Sequence, residues 1–281
     1  MAPMENKTLF GDPDEFETPE VKAHTEDKYD PVRYYCDLFS KGMQYKWAGR
    51  VYVDLYSGSG KCRIKGTNKI LLGSSLIALS VEVPFDRYVF CESNPVRLAA
   101  LVERVKRMYP ERNVQFVEGD CNEQIQRIRD LIPKNNLVLC FVDPYNCDIR
   151  YETLKSLTAG RKVDLLCLLA FQMDAKRAKV HYLNPENRKL DDMLGNPNWR
   201  DRWAEEQLKD KDFARFLALE FARSMQGLGY RRTELADMKV IKITGKHVPL
   251  YYLALFSKDP MAFKYWDQVL KYAPRQRGLF D

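Results

Sequence analysis

Short apolar segments of strand length alternate with amphipathic helical patterns through the first two-thirds of the chain, and this alternation limits the possible fold most. Segments that are apolar along their whole length are typical of strands covered on both faces by helices. The alternation therefore predicts an α/β, Rossmann-like fold of the class I methyltransferase type, with a mostly parallel, doubly wound sheet. The predicted strands are 50–56, 87–92, 113–118, 137–142 and 162–171.

Further elements surround these strands. A helix over 30–47 precedes the first strand, and a mostly helical insertion, 174–226, follows the fifth. Two strand-like segments, 230–244 and 249–257, predict an antiparallel C-terminal hairpin at the edge of the sheet. We expect residues 25–281 to form a single domain.

The charge is distributed unevenly. The formal net charge is +6, yet the first twenty residues hold six acidic residues and one basic residue. Residues 21–281 contain 44 basic and 33 acidic residues, a net charge of +11. We expect residues 1–24 to be a flexible acidic tail, and the basic remainder is compatible with a polyanionic partner or with an ordinary solvated surface.

The cysteines and the hydropathy pattern exclude several classes of protein. Seven cysteines form no C-x-x-C pair and have no histidine at ligand spacing, so we predict free thiols, without a disulfide framework or a metal site. No segment approaches the roughly 18 to 20 apolar residues that span a bilayer. The acidic N-terminus is unlike a signal peptide, so we expect a cytoplasmic protein that does not bind membranes.

The residues that close the first predicted strand form a D-x-x-x-G-x-G pattern, Asp54 to Gly60, that includes Ser57 and Gly58. Ligands of open α/β sheets bind at the carboxyl ends of strands, and glycine lets the backbone approach a ligand closely. An ordinary tight turn has the same pattern. The pattern is therefore a candidate ligand loop only if neighbouring strand ends agree with it.

Acidic residues close the next two strands. Glu92 lies where a carboxylate can accept from ribose hydroxyls, and Asp120 where one can accept from an adenine amine. Each alone can equally be a helix cap or a solvated loop residue. Together they predict a nucleoside pocket that resembles the S-adenosylmethionine site of class I methyltransferases, with Asp54, Gly58 and Gly60 beside it.

The fourth strand ends in Asp143-Pro144-Tyr145, which resembles the motif of methyltransferases that act on exocyclic amines of nucleic-acid bases. The Asp143 carboxylate and the Pro144 carbonyl can accept hydrogen bonds from an amino group, while Tyr145 offers a stacking face. These are the candidate catalytic residues. The bland alternative is that Asp-Pro ends a strand and starts a turn.

A basic insert, residues 61–72, separates the glycine loop from the next helix. It is a candidate nucleic-acid-binding segment that contacts phosphates, or else a solvated loop. Its basic residues are Lys61, Arg63, Lys65 and Lys69.

The insert is also part of a family resemblance. The chain resembles the three-Cys-motif partner proteins (TcmP), which contain a methyltransferase-like domain, although Asn146 stands where the family motif usually has glycine. The resemblance implies a partner with a three-cysteine, radical-S-adenosylmethionine-like motif. The matching segments are 53–60, 63–67, 72–79, 141–145, 163–166 and 190–199.

Three functions remain open from the sequence. The first is an S-adenosylmethionine-dependent methyltransferase that acts on an exocyclic amine of a nucleic-acid base. The second is a catalytically silent Rossmann-like module that binds the three-Cys-motif protein or a nucleic acid. The third is a divalent-metal-dependent nuclease that uses Asp54, Glu92 and Asp143. The sequence does not specify the methyl acceptor or the oligomeric state.

Overall fold

The computed structural model describes residues 9–144, 147–171, 179–207, 212–243 and 246–272. Its strands, in chain order, are β1 Phe10–Gly11, β2 Glu20–Val21, β3 Arg50–Asp54, β4 Lys61–Ile64, β5 Ile70–Leu72, β6 Arg87–Glu92, β7 Val114–Glu118, β8 Leu137–Val142, β9 Lys162–Leu169, β10 Lys239–Ile243 and β11 Lys246–Phe256. Its helices are α1 Thr25–Gly42, α2 Ser74–Leu79, α3 Pro95–Met108, α4 Cys121–Asp130, α5 Tyr151–Thr158, α6 Lys189–Leu194, α7 Trp199–Gln207, α8 Phe213–Gly227 and α9 Pro260–Tyr272.

The central sheet has seven strands in the order β10-β11-β9-β8-β3-β6-β7. Strands β9, β8, β3, β6 and β7 are parallel, whereas β11 is antiparallel to both β9 and β10. The chain runs outward from β3 to β7 and then returns to β8 on the other side of β3, so the strand order reverses between β3 and β8. The predicted Rossmann-like α/β fold is confirmed by this order, and so is the antiparallel C-terminal hairpin.

Helices cover both faces of this sheet because its strands are apolar along their whole length. Every residue of β3 and β8 is buried. Helices α1, α2 and α9 contribute to the core on one face, and α4, α5 and α8 to the core on the other. Helix α3 begins at Pro95, because the Asn94 side chain accepts from the backbone N–H groups of Val96 and Arg97 and the fixed φ of proline suits the first helical position.

The described part of the helical segment between β9 and β10 contains α6, α7 and α8. Trp199 and Trp203 are both buried in its core. All seven cysteines are buried, and none forms a disulfide within the described residues. None of the helices in the described ranges has the length and apolar character needed to cross a bilayer.

A second, four-stranded sheet corrects two expectations. Its order is β1-β5-β4-β2, so residues 9–24, here called the N-terminal segment, pair with both strands of the basic insert. The expectation of a flexible acidic tail is therefore wrong for residues 9–24, and residues 1–8 lie outside the described ranges. The insert is a β-hairpin and not a solvated loop, because its backbone groups bond to each other and to the N-terminal segment.

Arg104 in α3 fastens the N-terminal segment to the glycine loop. Its side chain is only 1% exposed, and it donates to both carboxylate oxygens of Asp14, at 3.0 and 2.6 Å. It also donates to the carbonyl oxygens of Glu17, at 2.9 Å, and Ser59, at 2.6 Å. A single buried guanidinium thus connects α3, the N-terminal segment and the loop that follows β3.

The same carboxylate also pairs with Lys61, at 2.9 Å, and Lys61 is itself buried. This removes Lys61 from the candidate nucleic-acid contacts, because its ammonium is neutralised by Asp14 and donates to the carbonyl of Asp12 at 2.7 Å. Asp14 of the N-terminal segment and Lys61 of the insert therefore compensate each other's charge.

Candidate functional site at the carboxyl ends of the strands

The glycine loop leaves β3 at the point where the strand order reverses, which is where open α/β sheets bind ligands. Gly58 and Gly60 both have positive φ, at 61° and 84°. A Cβ at Gly60 would lie 2.8 Å from Leu101, so this glycine is required by packing against α3. A Cβ at Gly58 would meet nothing within 4 Å, so the backbone there borders open space.

Glu92 lies against this loop. Its two carboxylate oxygens accept from the backbone N–H groups of Gly58 and Asn94, each at 2.9 Å, and the residue is 8% exposed. Ser57 binds the same strand end, because its hydroxyl donates to the carbonyl of Cys91 at 3.1 Å. The structure therefore brings together the loop and the acidic residue that the sequence placed in one pocket.

Asp54 is fully buried at the end of β3. Its Oδ1 accepts from the backbone N–H of Tyr56 at 3.1 Å, but its Oδ2 has no hydrogen-bond partner among the described residues. Burial raises the pKa of Asp54 to about 7, and the nearby Asp143 and Glu92 carboxylates add to the shift. A buried carboxyl with an unpaired oxygen is a group that a ligand can satisfy.

Asp120 and Glu118 lie at the end of the neighbouring strand. Asp120 is exposed and accepts from the backbone N–H of Asn122 at 2.9 Å, which makes it the N-cap of α4. The helix-cap alternative therefore describes one role of Asp120. Its predicted contact with an adenine amine stays a prediction.

Asp143 follows β8, two residues after Phe141, which is the partner of Asp54 on the neighbouring strand. Its Oδ2 forms an ion pair with Lys28 Nζ at 2.6 Å, and both side chains are mostly buried, at 17% and 15% exposure. Burial works against the charge of Lys28, but the attraction and hydrogen bond of Asp143, together with the nearby Tyr29 and Cys62, outweigh it and raise the pKa of the lysine above its ordinary range. Pro144 is described, whereas Tyr145, the third candidate catalytic residue, and Asn146 lie outside the described residues.

Lys28 is the functional-site residue that sequence reasoning missed. It lies on α1, on the helical stripe that continues through Val32, Tyr35 and Phe39, all fully buried. A lysine on an otherwise apolar stripe was the available signal, because a buried ammonium requires a partner. Its ammonium also lies 4.9 Å from the centre of the Tyr29 ring.

His24 and Tyr251 lie next to this pair. The His24 ring nitrogen is 3.4 Å from the Tyr251 hydroxyl oxygen. Burial, together with the charges of Lys22 and Lys28, lowers the pKa of His24 to about 4. The histidine is therefore neutral at neutral pH and adds no positive charge to the site.

The remaining basic residues of the insert differ from Lys61. Arg63, Lys65 and Lys69 are exposed, and the Lys69 ammonium lies 5.4 Å from the centre of the Phe10 ring. Their predicted contact with phosphates stays a prediction.

A cavity of about 590 Å³ lies elsewhere, in the helical segment. Its arginines, Arg202 and Arg223, both pair with the buried Glu220. Because both guanidinium groups are already engaged by Glu220, this cavity is a weaker candidate site than the strand ends.

Comparisons with known proteins give low similarity. No family model and no curated protein matches the chain. A solved Legionella pneumophila protein of family-model DUF519 is similar, with 12% identity, 87% of this chain and 92% of that chain covered, and a TM-score of 0.46. Trm1 from Pyrococcus horikoshii, solved with S-adenosyl-L-methionine, has 10% identity, 92% and 61% coverage and a TM-score of 0.48.

TYW2 from M. jannaschii, solved in complex with AdoMet, has 11% identity, 85% and 78% coverage and a TM-score of 0.42. The chain spans about three-fifths of the Trm1 chain. Because the TM-scores are below 0.5, these similarities do not indicate what the protein does. The assignment of the fold rests on the strand order of the chain itself.

Proposed function

We propose that this protein binds S-adenosylmethionine at the ends of β3 and β6 and transfers its methyl group to an amine, with a nucleic-acid base as the acceptor. The observation that carries the proposal is the contact between Glu92 and the backbone of Gly58, at the reversal of strand order. This contact supports the proposal because it holds a carboxylate, a group that can accept from ribose hydroxyls, beside a loop whose Gly58 borders open space.

The residues present fit a cationic nucleoside cofactor. Asp54 offers an unpaired, buried carboxyl oxygen, and Glu92 and Asp143 outnumber the single Lys28 ammonium among the side chains described here, with Asp54 adding to this surplus when it ionises. Such a surplus of negative charge attracts a sulfonium and an ammonium group. The bound cofactor supplies an electrophilic methyl group on a positively charged sulfur.

The acceptor amine is oriented by Asp143 and Pro144. Lys28 engages Oδ2 of Asp143, so Oδ1 and the Pro144 carbonyl are the acceptors left for the N–H groups of a substrate. Holding the amine in this way directs its lone pair to one side and requires no strong base. Arg63, Lys65 and Lys69, exposed on the insert, are the candidate contacts to substrate phosphates.

The first test is calorimetric titration with S-adenosylhomocysteine. We expect the wild-type protein to bind it and Glu92→Gln to lose at least tenfold in affinity, because the ribose acceptor and two loop contacts are weakened. Glu118→Gln is the matched control, since Glu118 is the cross-strand neighbour of Glu92 but is exposed. Absence of binding to the wild-type protein sinks the proposal.

The second test is methyl transfer from labelled S-adenosylmethionine to RNA, to DNA or to a protein partner. Asp143→Asn should lose transfer and retain S-adenosylhomocysteine binding. The TcmP resemblance makes a three-Cys-motif protein the partner to include, in a cytoplasmic setting. Transfer by Asp143→Asn at the wild-type rate contradicts the role given to this carboxylate.

The second candidate function is the catalytically silent binding module. The Lys28–Asp143 ion pair favours it, because an ion pair across α1 and β8 also has a purely structural use. In that case the protein binds S-adenosylhomocysteine or a partner, and Asp143→Asn changes neither of these affinities.

The nuclease alternative has no set of metal ligands among the described residues. The described residues contain no group of three side chains arranged to hold a metal ion. Among the three acids it needed, Glu92 accepts backbone N–H groups and Asp143 faces the Lys28 ammonium.

A further inference from the structure

A basic cleft lies at the amino end of the central sheet, opposite the candidate site. Four loops form it: those before β3, β8 and β9, and the one after the antiparallel β11. Its volume is about 610 Å³, and its lining includes Trp47, Lys134, Arg161, Lys162 and Lys258. We call it the amino-end cleft.

The cations of the amino-end cleft are not neutralised by the protein. No Asp or Glu is among the described residues that line it. Lys134 and Lys162 are exposed and form no ion pair within the described ranges. Lys258 donates to the carbonyl oxygen of Leu228 at 2.6 Å, which fixes its ammonium without cancelling its charge. Four cations that converge on one concavity attract an anion of several charges.

Arg161 is held rigidly in this group. Its guanidinium donates to the carbonyl oxygens of Ile132, at 2.7 Å, and Arg129, at 2.8 Å. Its Nε is buried and has no partner among the described residues. Burial and the neighbouring Arg129 lower the pKa of Arg161, while Asp130, the acid that acts on it, works in the opposite direction. A cation fixed by backbone contacts loses little entropy when it meets a ligand.

An aromatic surface borders the cations. Trp47 is 37% exposed and makes no ring contact with the residues described, and Tyr45, two positions earlier in the same loop, is 92% exposed. Tyr45 also has a positive φ of 65°, which residues with a side chain seldom adopt. Exposed rings next to unpaired cations are the combination with which proteins bind unpaired nucleic-acid strands.

We propose that the amino-end cleft binds single-stranded nucleic acid, with Trp47 stacked on a base and Lys134, Arg161, Lys162 and Lys258 at the phosphates. A single strand is favoured over a duplex because only unpaired bases expose a face to Trp47 inside a cavity of about 610 Å³. The site goes beyond the proposed methyl transfer. The six residues of β8 place the two ends of the sheet about 20 Å apart.

The test is fluorescence anisotropy with a labelled 12-nucleotide single-stranded RNA, without cofactor, as a function of salt. The double variant Lys134→Ala/Lys162→Ala should lower the slope of log K against log salt by about 1.4, since each phosphate contact to a single strand contributes about 0.7. Lys264→Ala/Lys271→Ala, with the same change of charge at two exposed positions of α9 outside the cleft lining, is the matched control and should change the slope less.

Trp47→Ala should weaken binding by about fivefold or more, because stacking of one base contributes about 1 to 3 kcal/mol. All of these residues have exposed side chains, and unchanged circular dichroism checks that the variants are folded. Equal effects of the two lysine pairs, or full affinity of Trp47→Ala, overturn the proposal. Equal competition by a duplex of the same length, or by inorganic phosphate, also overturns the proposal. Either result would indicate a site that recognises phosphate and not an unpaired strand.

The outcome is separable from that of the proposed function. The cleft variants should bind S-adenosylhomocysteine as the wild-type protein does, and Glu92→Gln should bind the RNA as the wild-type protein does.

Discussion

Replacing Arg104 by methionine tests whether the N-terminal segment is fastened to the glycine loop. The substitution keeps the apolar stem of the side chain but removes the bonds to Asp14, Glu17 and Ser59. Removing one member of a buried ion pair costs about 3 to 5 kcal/mol. For a chain of this size, at about 2 °C per kcal/mol, the midpoint of thermal unfolding should fall by about 6 to 10 °C.

Arg107→Met provides the control, because Arg107 lies one turn further along α3 and also pairs with the N-terminal segment, through Glu15 at 2.7 Å. Both of these side chains are more than half exposed, and the Arg107 guanidinium stacks on the Phe16 ring as well. Solvent screens such a pair, so the midpoint should change little. An Arg104→Met midpoint no lower than that of Arg107→Met would refute the reasoning.

The pH dependence gives a second readout. The hydrogen bonds from Arg104 and Lys61 outweigh burial and hold the pKa of Asp14 below its ordinary value. A lowered carboxyl pKa stabilises the native state above about pH 4 and loses that contribution as the pH falls. Arg104→Met should therefore lose less stability than the wild-type protein between pH 4 and lower pH. Limited proteolysis of the folded variant should cleave within residues 9–24, and a wild-type cleavage pattern would contradict the fastening.

Three further predictions concern the candidate site. The raised pKa of Asp54, about 7, means that the native state keeps a proton that the unfolded chain has released, so this group's contribution to stability falls from about pH 4 to about pH 7. The ammonium group of a ligand bound beside Asp54 favours the carboxylate form, so S-adenosylhomocysteine should bind more tightly as the pH rises through 7. Calorimetry should show a weaker pH dependence of this affinity in Asp54→Asn. Gly58→Ala should lower the free energy of unfolding in urea by about 1 to 2 kcal/mol, because alanine disfavours the left-handed φ at this position. Gly60→Ala should lower it further, because only a Cβ at Gly60 would lie 2.8 Å from Leu101. Gly58→Ala should instead weaken S-adenosylhomocysteine binding. A larger loss of stability in Gly58→Ala than in Gly60→Ala would contradict the inference that Gly58 borders open space. Lys28→Met should lower the free energy of unfolding by about 2 to 4 kcal/mol, and Asp143→Asn in the same chain should recover most of that loss.

The local elements of the fold were predictable because their signals are short in sequence. Strand β8 occurs at the predicted residues, since an apolar run flanked by polar loops can be recognised within a few positions, and the Asn-Pro start of helix α3 is an equally local signal. The candidate site was predictable to the extent that parallel strands place their carboxyl ends on one edge. That rule brought Asp54, Gly58 and Glu92 together without any knowledge of their contacts.

Contacts between distant segments were not predictable in the same way. The Arg104–Asp14 pair spans 90 positions and the Lys28–Asp143 pair spans 115, and each depends on how a helix packs against a strand end. The sequence showed an acidic N-terminal segment and a basic insert, but it did not show that Asp14 and Lys61 compensate each other. Lys61 was misassigned for that reason.

The sequence by itself determined the α/β class, the parallel strands and the edge at which the candidate site lies, because periodicity and strand-end chemistry are local properties. Only the tertiary structure decided which charges are neutralised within the protein and which remain for partners. Burial and pairing fix the free energy of a charge, and both depend on residues far away in the chain. The exposed basic residues without an ion pair in the described ranges include Arg63, Lys65 and Lys69 of the insert, which the sequence already singled out, and Lys134 and Lys162 of the amino-end cleft, which it did not.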